Sequence, residues 1–286
     1  MELIRISPFA GFRLSLRLWK LVAALWLFQL LLITPVMLIV ENALAPSLAA
    51  LPEGAMADGD LALIVIQAFD EIRAPAILML LVAVVLGWLW TVMWHGGVVS
   101  WRLWADTDKA QLSRILGLGL VSFWKFLRLS LVSNALVFTL LILAWWPLGK
   151  LISSSYTSMQ EARMMQAIGF GLVVTVLVIW VCRAAVLRAS WILGRHDRRS
   201  AVLALFDGIV GAFAHPLSSL GTVALFSVLA FGAGAAPLIA GMMNQALRSG
   251  IPAQVFSHVA ALVAAFFWLA LFTSFAPASG LFEHDE

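Results

Sequence analysis

Ionisable side chains that could do chemistry inside a membrane are scarce in this sequence, and those present are basic. No Asp or Glu falls within any of its six apolar stretches, whereas Arg183 lies inside one of them and Arg188 follows shortly after. Ionisable groups at membrane depth serve as proton relays, counter-ions or substrate sites. Arg183 is therefore either a side chain that extends to the lipid headgroups or a binding site for a lipid phosphate.

The other polar residues in the middle of these stretches are neutral, and two of them carry amides. Gln29 lies in the first stretch and Asn134 in the third. An amide at membrane depth commonly forms a hydrogen bond across a helix–helix interface, although it can also line a polar path. We expect helix–helix bonding for both residues, with the polar path as the alternative.

The usual catalytic and metal-binding patterns do not occur in the sequence. Its five histidines include no pair at metal-ligand spacing. An HExxH helix, a GxSxG turn and a phosphate-binding glycine loop are also missing. The single Cys182 excludes an internal disulfide and a thiolate metal cluster. We expect no catalytic residue, no metal and no cofactor, and a chain that is not an enzyme. An intramembrane enzyme stays open as an alternative.

Composition places the whole chain in a membrane. Of its 286 residues, 63% are apolar and 12% are charged, and the mean hydropathy is +1.00. Soluble domains carry about a quarter charged residues. This composition excludes a soluble globular protein, a disordered chain and a nucleic-acid-binding domain. The net charge of +3 is too small to change that conclusion.

A helix that crosses a bilayer core of about 30 Å needs roughly 20 apolar residues. Six stretches qualify, and backbone hydrogen bonding in lipid requires them to be helical. The predicted spans, within a single integral membrane domain of residues 1–286, are about 21–40, 75–94, 129–146, 167–186, 217–238 and 253–275. A cleaved signal peptide is the alternative for the first span. Gly96 and Gly97, which follow His95, are expected to end the second helix.

The distribution of positive charge predicts the orientation. Of the 18 lysines and arginines, only four fall in the segments on the far side from the N-terminus. These four are Arg73, Lys150, Arg163 and Arg248. Because cytoplasmic loops carry an excess of Lys and Arg, both termini are expected in the cytoplasm.

Each odd-numbered span follows an amphipathic stretch, at residues 7–20, 112–128 and 199–215. In the first two stretches, the basic residues cluster within about 60° of the helix circumference. They are Arg13, Arg17 and Lys20 in the first, and Arg114, Lys125 and Arg128 in the second. The predicted fold is all-α, with six transmembrane helices arranged as three hairpins. Each hairpin follows a cytoplasmic interfacial helix, and the basic faces of the first two helices meet lipid headgroups. Packing of these stretches on the ends of the bundle is the alternative.

Four sequence stretches carry a resemblance to known membrane proteins. They read LWLFQLLLITPVMLIV, MWHGGVVSW, SFWKFLRLSLVSN and RHDRRSAVLALFDGIVGAFAHPL. In this order they resemble a group of uncharacterised six-helix bacterial inner-membrane proteins. They are loosely similar to the membrane domain of some bacterial glycerophosphodiester phosphodiesterases, whose catalytic barrel has no counterpart here. The resemblance implies a multi-pass protein of the bacterial inner membrane, and it brings no functional residues.

Two functions compete at this level. The first is a non-catalytic membrane subunit that acts with a protein partner or a second copy, as a transport component or a scaffold. The second is a lipid-binding or lipid-handling protein whose basic cytoplasmic face binds the phospholipid membrane. The first is the main prediction because the chain has no soluble domain and no catalytic pattern.

Overall fold

The described part of the chain is helical throughout. The computed structural model describes residues 6–49, 60–104, 111–158, 160–195, 200–243 and 251–276. These ranges contain eight helices and no β-strand. The helices are α1 (Pro8–Arg17), α2 (Trp19–Ala49), α3 (Asp60–Trp104), α4 (Leu112–Thr157), α5 (Glu161–Arg195), α6 (Ala201–Ala214), α7 (Pro216–Met243) and α8 (Ile251–Ser274).

Six of the eight described helices are long and apolar enough to cross a membrane. Their apolar segments are Trp19–Val36, Ile77–Trp104, Leu112–Tyr156, Glu161–Arg195, Pro216–Pro237 and Gln254–Ser274. The prediction of an all-helical, multi-pass membrane protein is therefore confirmed at this level. The remaining two helices, α1 and α6, are too short to span.

The expected helix end after His95 is wrong, because α3 continues through Gly96 and Gly97 to Trp104. Both glycines are buried. A Cβ on Gly96 would approach the side chains of Ser122 and Phe126 on α4. The missing side chains thus serve close helix packing, which compensates for the low helix propensity of glycine.

The three predicted interfacial stretches differ in how they join the following helix. A single-residue break at Leu18 separates α1 from α2, and His215 separates α6 from α7. Pro216 explains the second break, because proline disfavours the helical conformation of the residue before it. In contrast, α4 runs unbroken from Leu112 to Thr157. At about 1.5 Å per residue, its 46 residues are much longer than the bilayer core.

The chain divides into two compact units by its contacts. Unit 1 comprises Met1–Val22 and Val92–Glu286, and unit 2 comprises Ala23–Thr91. In unit 2, the rings of Phe28 and Trp90 stack with their centroids 4.5 Å apart. The prediction of a single membrane domain and of its span limits stays a prediction.

In unit 1, α4 packs on α5, α5 on α6, and α8 on both α7 and α1. Some of these contacts are very close. A Cβ on Gly208 of α6 would collide with the carbonyl oxygen of Ala185 on α5, and one on Gly11 of α1 would collide with Ala270 of α8. Glycine at these two positions lets the helix backbones touch, as is usual where membrane helices pack closely.

Helix α1 is fixed to the end of α8 by polar contacts. The Ser7 N–H donates to the Ser274 carbonyl at 3.1 Å, and the hydroxyls of Ser15 and Thr273 are 3.1 Å apart. Gly11, Leu14 and Ser15 are buried in this contact. The opposite side of α1 therefore stays exposed.

Candidate anion-binding site

The predicted basic residues of the first amphipathic stretch lie on this exposed side. Arg13, Arg17 and Lys20 are all exposed. Large apolar side chains are exposed beside them, with Phe9 at 79% and Trp19 at 62%. The Lys20 ammonium lies 5.9 Å from the centroid of the Trp19 ring. Phe9, Arg13 and Arg17 lie on α1, and Trp19 and Lys20 begin α2. A segment that exposes both cations and aromatic rings has the composition of one lying at a membrane surface.

The second basic set lies on a different helix, near the start of α4. Arg114 and Arg128 are exposed, and Lys125 is half-buried. Trp124 is 69% exposed beside Lys125. The structure thus keeps the two predicted basic sets on separate helices, with the same pairing of basic and aromatic side chains in each.

Gln29 and Asn134 are both exposed in the structure. Neither amide has a hydrogen bond to another helix among the described residues. Their predicted role in bonding between helices of this chain is therefore not seen in the described residues.

Arg183 on α5, for which the sequence leaves a headgroup-reaching side chain and a phosphate site open, lies against an aromatic ring of α8. Its guanidinium carbon is 4.2 Å from the centroid of the Trp268 ring. Its Nε is buried and has no hydrogen-bond partner, although the side chain as a whole is only partly buried. No acidic side chain in the described part of the chain pairs with it. The cation–π contact offsets part of the cost of placing a cation in apolar surroundings.

His95 of α3 lies on the next ring along α8. Its imidazole stacks on Phe272 with centroids 4.1 Å apart and planes inclined by 3°. Trp268 and Phe272 are four residues apart, so their side chains are neighbours on one face of α8. Arg183 and His95 therefore form one polar cluster on a two-ring aromatic platform.

A buried tryptophan holds this platform in place. Trp191 of α5 has no exposed surface, and its indole N–H donates to the Phe272 carbonyl at 3.2 Å. The Trp191 and Phe272 rings are also in contact, with centroids 5.5 Å apart. This contact fixes α8 against α5 about two turns from Arg183.

A second arginine of α5 is more deeply buried. Arg188 is 4% exposed, and its Nε and Nη2 both donate to the Ser219 hydroxyl on α7, at 3.2 and 2.8 Å. Gly211 of α6 leaves room for this side chain, since a Cβ there would lie 3.2 Å from Arg188 Nη1. Arg188 thus joins α5, α6 and α7 and also has no acidic partner among the described residues.

The cluster presents N–H groups that can bind an anion. Arg183 and His95 can both donate hydrogen bonds, and no described carboxylate pairs with Arg183. The described residues also contain no group of His, Cys, Asp and Glu that could hold a metal ion. Sequence reasoning identified Arg183, interpreted His95 only as part of a helix end, and did not identify Trp268 or Phe272. The signal in the sequence that could have pointed to this site is that Arg183 and His95 are ionisable residues in strongly apolar stretches.

Comparisons with protein families, with curated proteins and with solved structures find no match to this chain. The fold itself places the protein among the multi-pass helical membrane proteins. The function has to be argued from the side chains described above.

Proposed function

We propose that this chain is a non-catalytic membrane protein that binds anionic lipid headgroups through a basic and aromatic cytoplasmic face. The observation that carries the proposal is the fixed orientation of α1. Gly11 and Ser15 dock the helix on α8, and this leaves Arg13 and Arg17 exposed with Phe9. Each basic residue near an anionic leaflet contributes about 1 kcal/mol, and the apolar rings anchor the helix between headgroups.

The proposal includes an arrangement in the membrane. Both termini lie in the cytoplasm, and the six spanning helices form three hairpins. The amphipathic segment at residues 7–20 and the start of α4 lie at the cytoplasmic side. The excess of basic residues in these segments supports this orientation. The resemblance to bacterial inner-membrane proteins supports the location. The packing of α4 on α5 and of α7 on α8 is compatible with two of the hairpins.

Lipid retention tests the proposal. The variant Arg13→Gln, Arg17→Gln, Lys20→Gln should retain less phosphatidylglycerol than the unmodified chain after purification from an equimolar mixture with phosphatidylcholine. A matched control changes Lys150 and Arg163 to Gln. Both are exposed, and Lys150 lies 5.5 Å from the Trp146 ring, much as Lys20 lies beside Trp19. Equal loss in both variants, or no loss in either, would contradict a specific basic face.

A second function is favoured by the exposed amides. An amide that faces hydrocarbon has no hydrogen-bond partner there, and a neighbouring protein helix provides one. Asn134 is exposed on α4 between the large exposed side chains Leu131 and Phe138. This favours a membrane subunit or scaffold that associates with a partner or a second copy.

Association through this face can be measured directly. Asn134→Leu should weaken the complex in native mass spectrometry from mild detergent, because the interhelical hydrogen bond is lost. Phe138→Leu, on the same exposed face, is the control for altered apolar contact. A chain that is always monomeric and alone, with or without the amide, would rule out this second function.

A further inference from the structure

We propose that Arg183 and His95 form a built site for one phosphate-type anion inside unit 1, on the ring platform of Trp268 and Phe272. This inference goes beyond the proposed surface attraction to lipid. Its residues belong to α3, α5 and α8 and include none of the exposed basic residues of α1 and α2. The site and the surface can therefore be tested separately.

The first argument is charge. The Arg183 guanidinium lies in a span, and no described carboxylate neutralises it. A buried Nε without a hydrogen-bond partner leaves a donor unsatisfied, which is costly in an apolar environment. The stacking on Trp268 stabilises the cation but satisfies none of its N–H groups. An anion supplies both the missing charge and the missing acceptors.

The second argument is geometry. Arg183 and His95 each lie against a ring of α8, and these two rings are one helical turn apart. On this geometry we infer that the two side chains bind one tetrahedral anion. A guanidinium presents a planar fork of N–H donors that matches two phosphate oxygens, and charge-assisted bonds of this type are strong. The imidazole adds one N–H donor even in its neutral form.

The third argument is the surroundings of the cluster. Ile179 lies one turn before Arg183 on α5 and is 42% exposed. Apolar surface beside a cation suits a phospholipid. Its headgroup phosphate can bind the cation while its acyl chains lie along the helix. A free inorganic phosphate presents the same oxygens. The inference therefore names the phosphate group, and the experiment separates its two sources.

The experiment uses the full chain in nanodiscs and has two arms. In one arm the discs contain equimolar phosphatidylglycerol and phosphatidylcholine, and native mass spectrometry counts the phosphatidylglycerol retained by each protein molecule. In the other arm the discs contain phosphatidylcholine alone, and inorganic phosphate is titrated and followed by phosphorus NMR. The variants are Arg183→Gln, Arg183→Lys and His95→Phe. Arg163→Gln, an exposed arginine at the start of the same helix, is the control.

In the arm that contains the anion bound by the site, whether phosphatidylglycerol or inorganic phosphate, Arg183→Gln should weaken binding about tenfold or more. His95→Phe keeps an aromatic ring against Phe272 and removes only the N–H groups, so it should weaken binding several-fold. Arg183→Lys should restore part of the affinity because it keeps the charge and loses the planar fork. Arg163→Gln should bind like the unmodified chain. A loss in the first arm assigns a lipid phosphate, and a loss in the second assigns inorganic phosphate.

Unchanged binding in both arms for Arg183→Gln and His95→Phe would overturn the inference. If Arg183→Gln does not fold, as judged by circular dichroism and size-exclusion chromatography, Arg183→Lys and His95→Phe decide the question in the same way. The triple variant of Arg13, Arg17 and Lys20 separates this result from the proposed function. It should reduce general lipid retention and leave the single tightly bound anion in place.

Discussion

Arg188 and Ser219 form the most deeply buried polar contact between α5 and α7. Two guanidinium nitrogens, Nε and Nη2, share the one hydroxyl oxygen at 3.2 and 2.8 Å. Arg188 is 4% exposed and Ser219 is fully buried. Because no described carboxylate neutralises this arginine, the serine hydroxyl is its polar anchor, and the stability of the contact depends on one oxygen atom.

Removing that oxygen should destabilise unit 1. Ser219→Ala leaves two buried donors without an acceptor, and we expect a loss of about 1–3 kcal/mol in the free energy of unfolding. Ser218→Ala is the control, because Ser218 is exposed and its hydroxyl donates within its own segment, to the His215 carbonyl. Denaturant titration in detergent measures both. Equal stability of the two variants would show that Arg188 finds another acceptor.

A second prediction concerns the contact between α5 and α6. Gly208→Ala places a methyl group against the Ala185 carbonyl and should push the helices apart, at a cost of about 1–3 kcal/mol. Gly117→Ala in α4 is the matched control, since nothing lies within 4 Å of its Cβ position. There the higher helix propensity of alanine should stabilise the protein slightly. Thermal unfolding followed by circular dichroism compares the two variants, and a shift of the same sign in both would contradict this packing argument.

A third prediction concerns topology. Ser154 and Ser113 are exposed residues near opposite ends of α4. They are separated by roughly 60 Å at the helical rise, which places them on opposite sides of a bilayer. In a Cys182→Ala background, Ser154→Cys should react with an impermeant maleimide added outside the cell, and Ser113→Cys only after permeabilisation. The reverse pattern would overturn the proposed orientation.

A fourth prediction concerns α6, whose small residues face the protein. Gly208 packs against Ala185 and Gly211 against Arg188, whereas the apolar residues are exposed. The exposed set is Val202, Leu203, Phe206, Val210 and Phe213. We therefore expect this helix to lie in the apolar part of the membrane rather than on its surface.

Spin labels measure this depth. In a Cys182→Ala background, a label at Phe206→Cys should be accessible to oxygen and protected from an aqueous nickel complex, as should the mid-span control Val173→Cys. Glu161→Cys, exposed at the start of α5, should show the opposite accessibility. A Phe206 label that resembles Glu161 would place α6 in water, and protection from both reagents would place it against a protein.

The sequence is sufficient to predict the class of fold. Because unpaired backbone groups and charges are costly in lipid, the composition of each segment determines whether it can span the membrane as a helix. An apolar run of span length such as residues 217–238 has to be helical wherever its neighbours lie. The amphipathic periodicity of residues 7–20 also marks Arg13, Arg17 and Lys20 as one face of a helix. These conclusions need no knowledge of tertiary contacts.

Helix limits and the candidate site depend on those contacts. Gly96 and Gly97 resemble a helix end in sequence, but their missing side chains are used for packing against α4, so the helix continues. The face that α6 turns toward the protein depends on where Ala185 and Arg188 of α5 lie. Above all, Arg183, His95, Trp268 and Phe272 are far apart in the chain and adjacent only in the fold. Tertiary packing alone decides which side chains meet, because such contacts leave no local periodicity in the sequence.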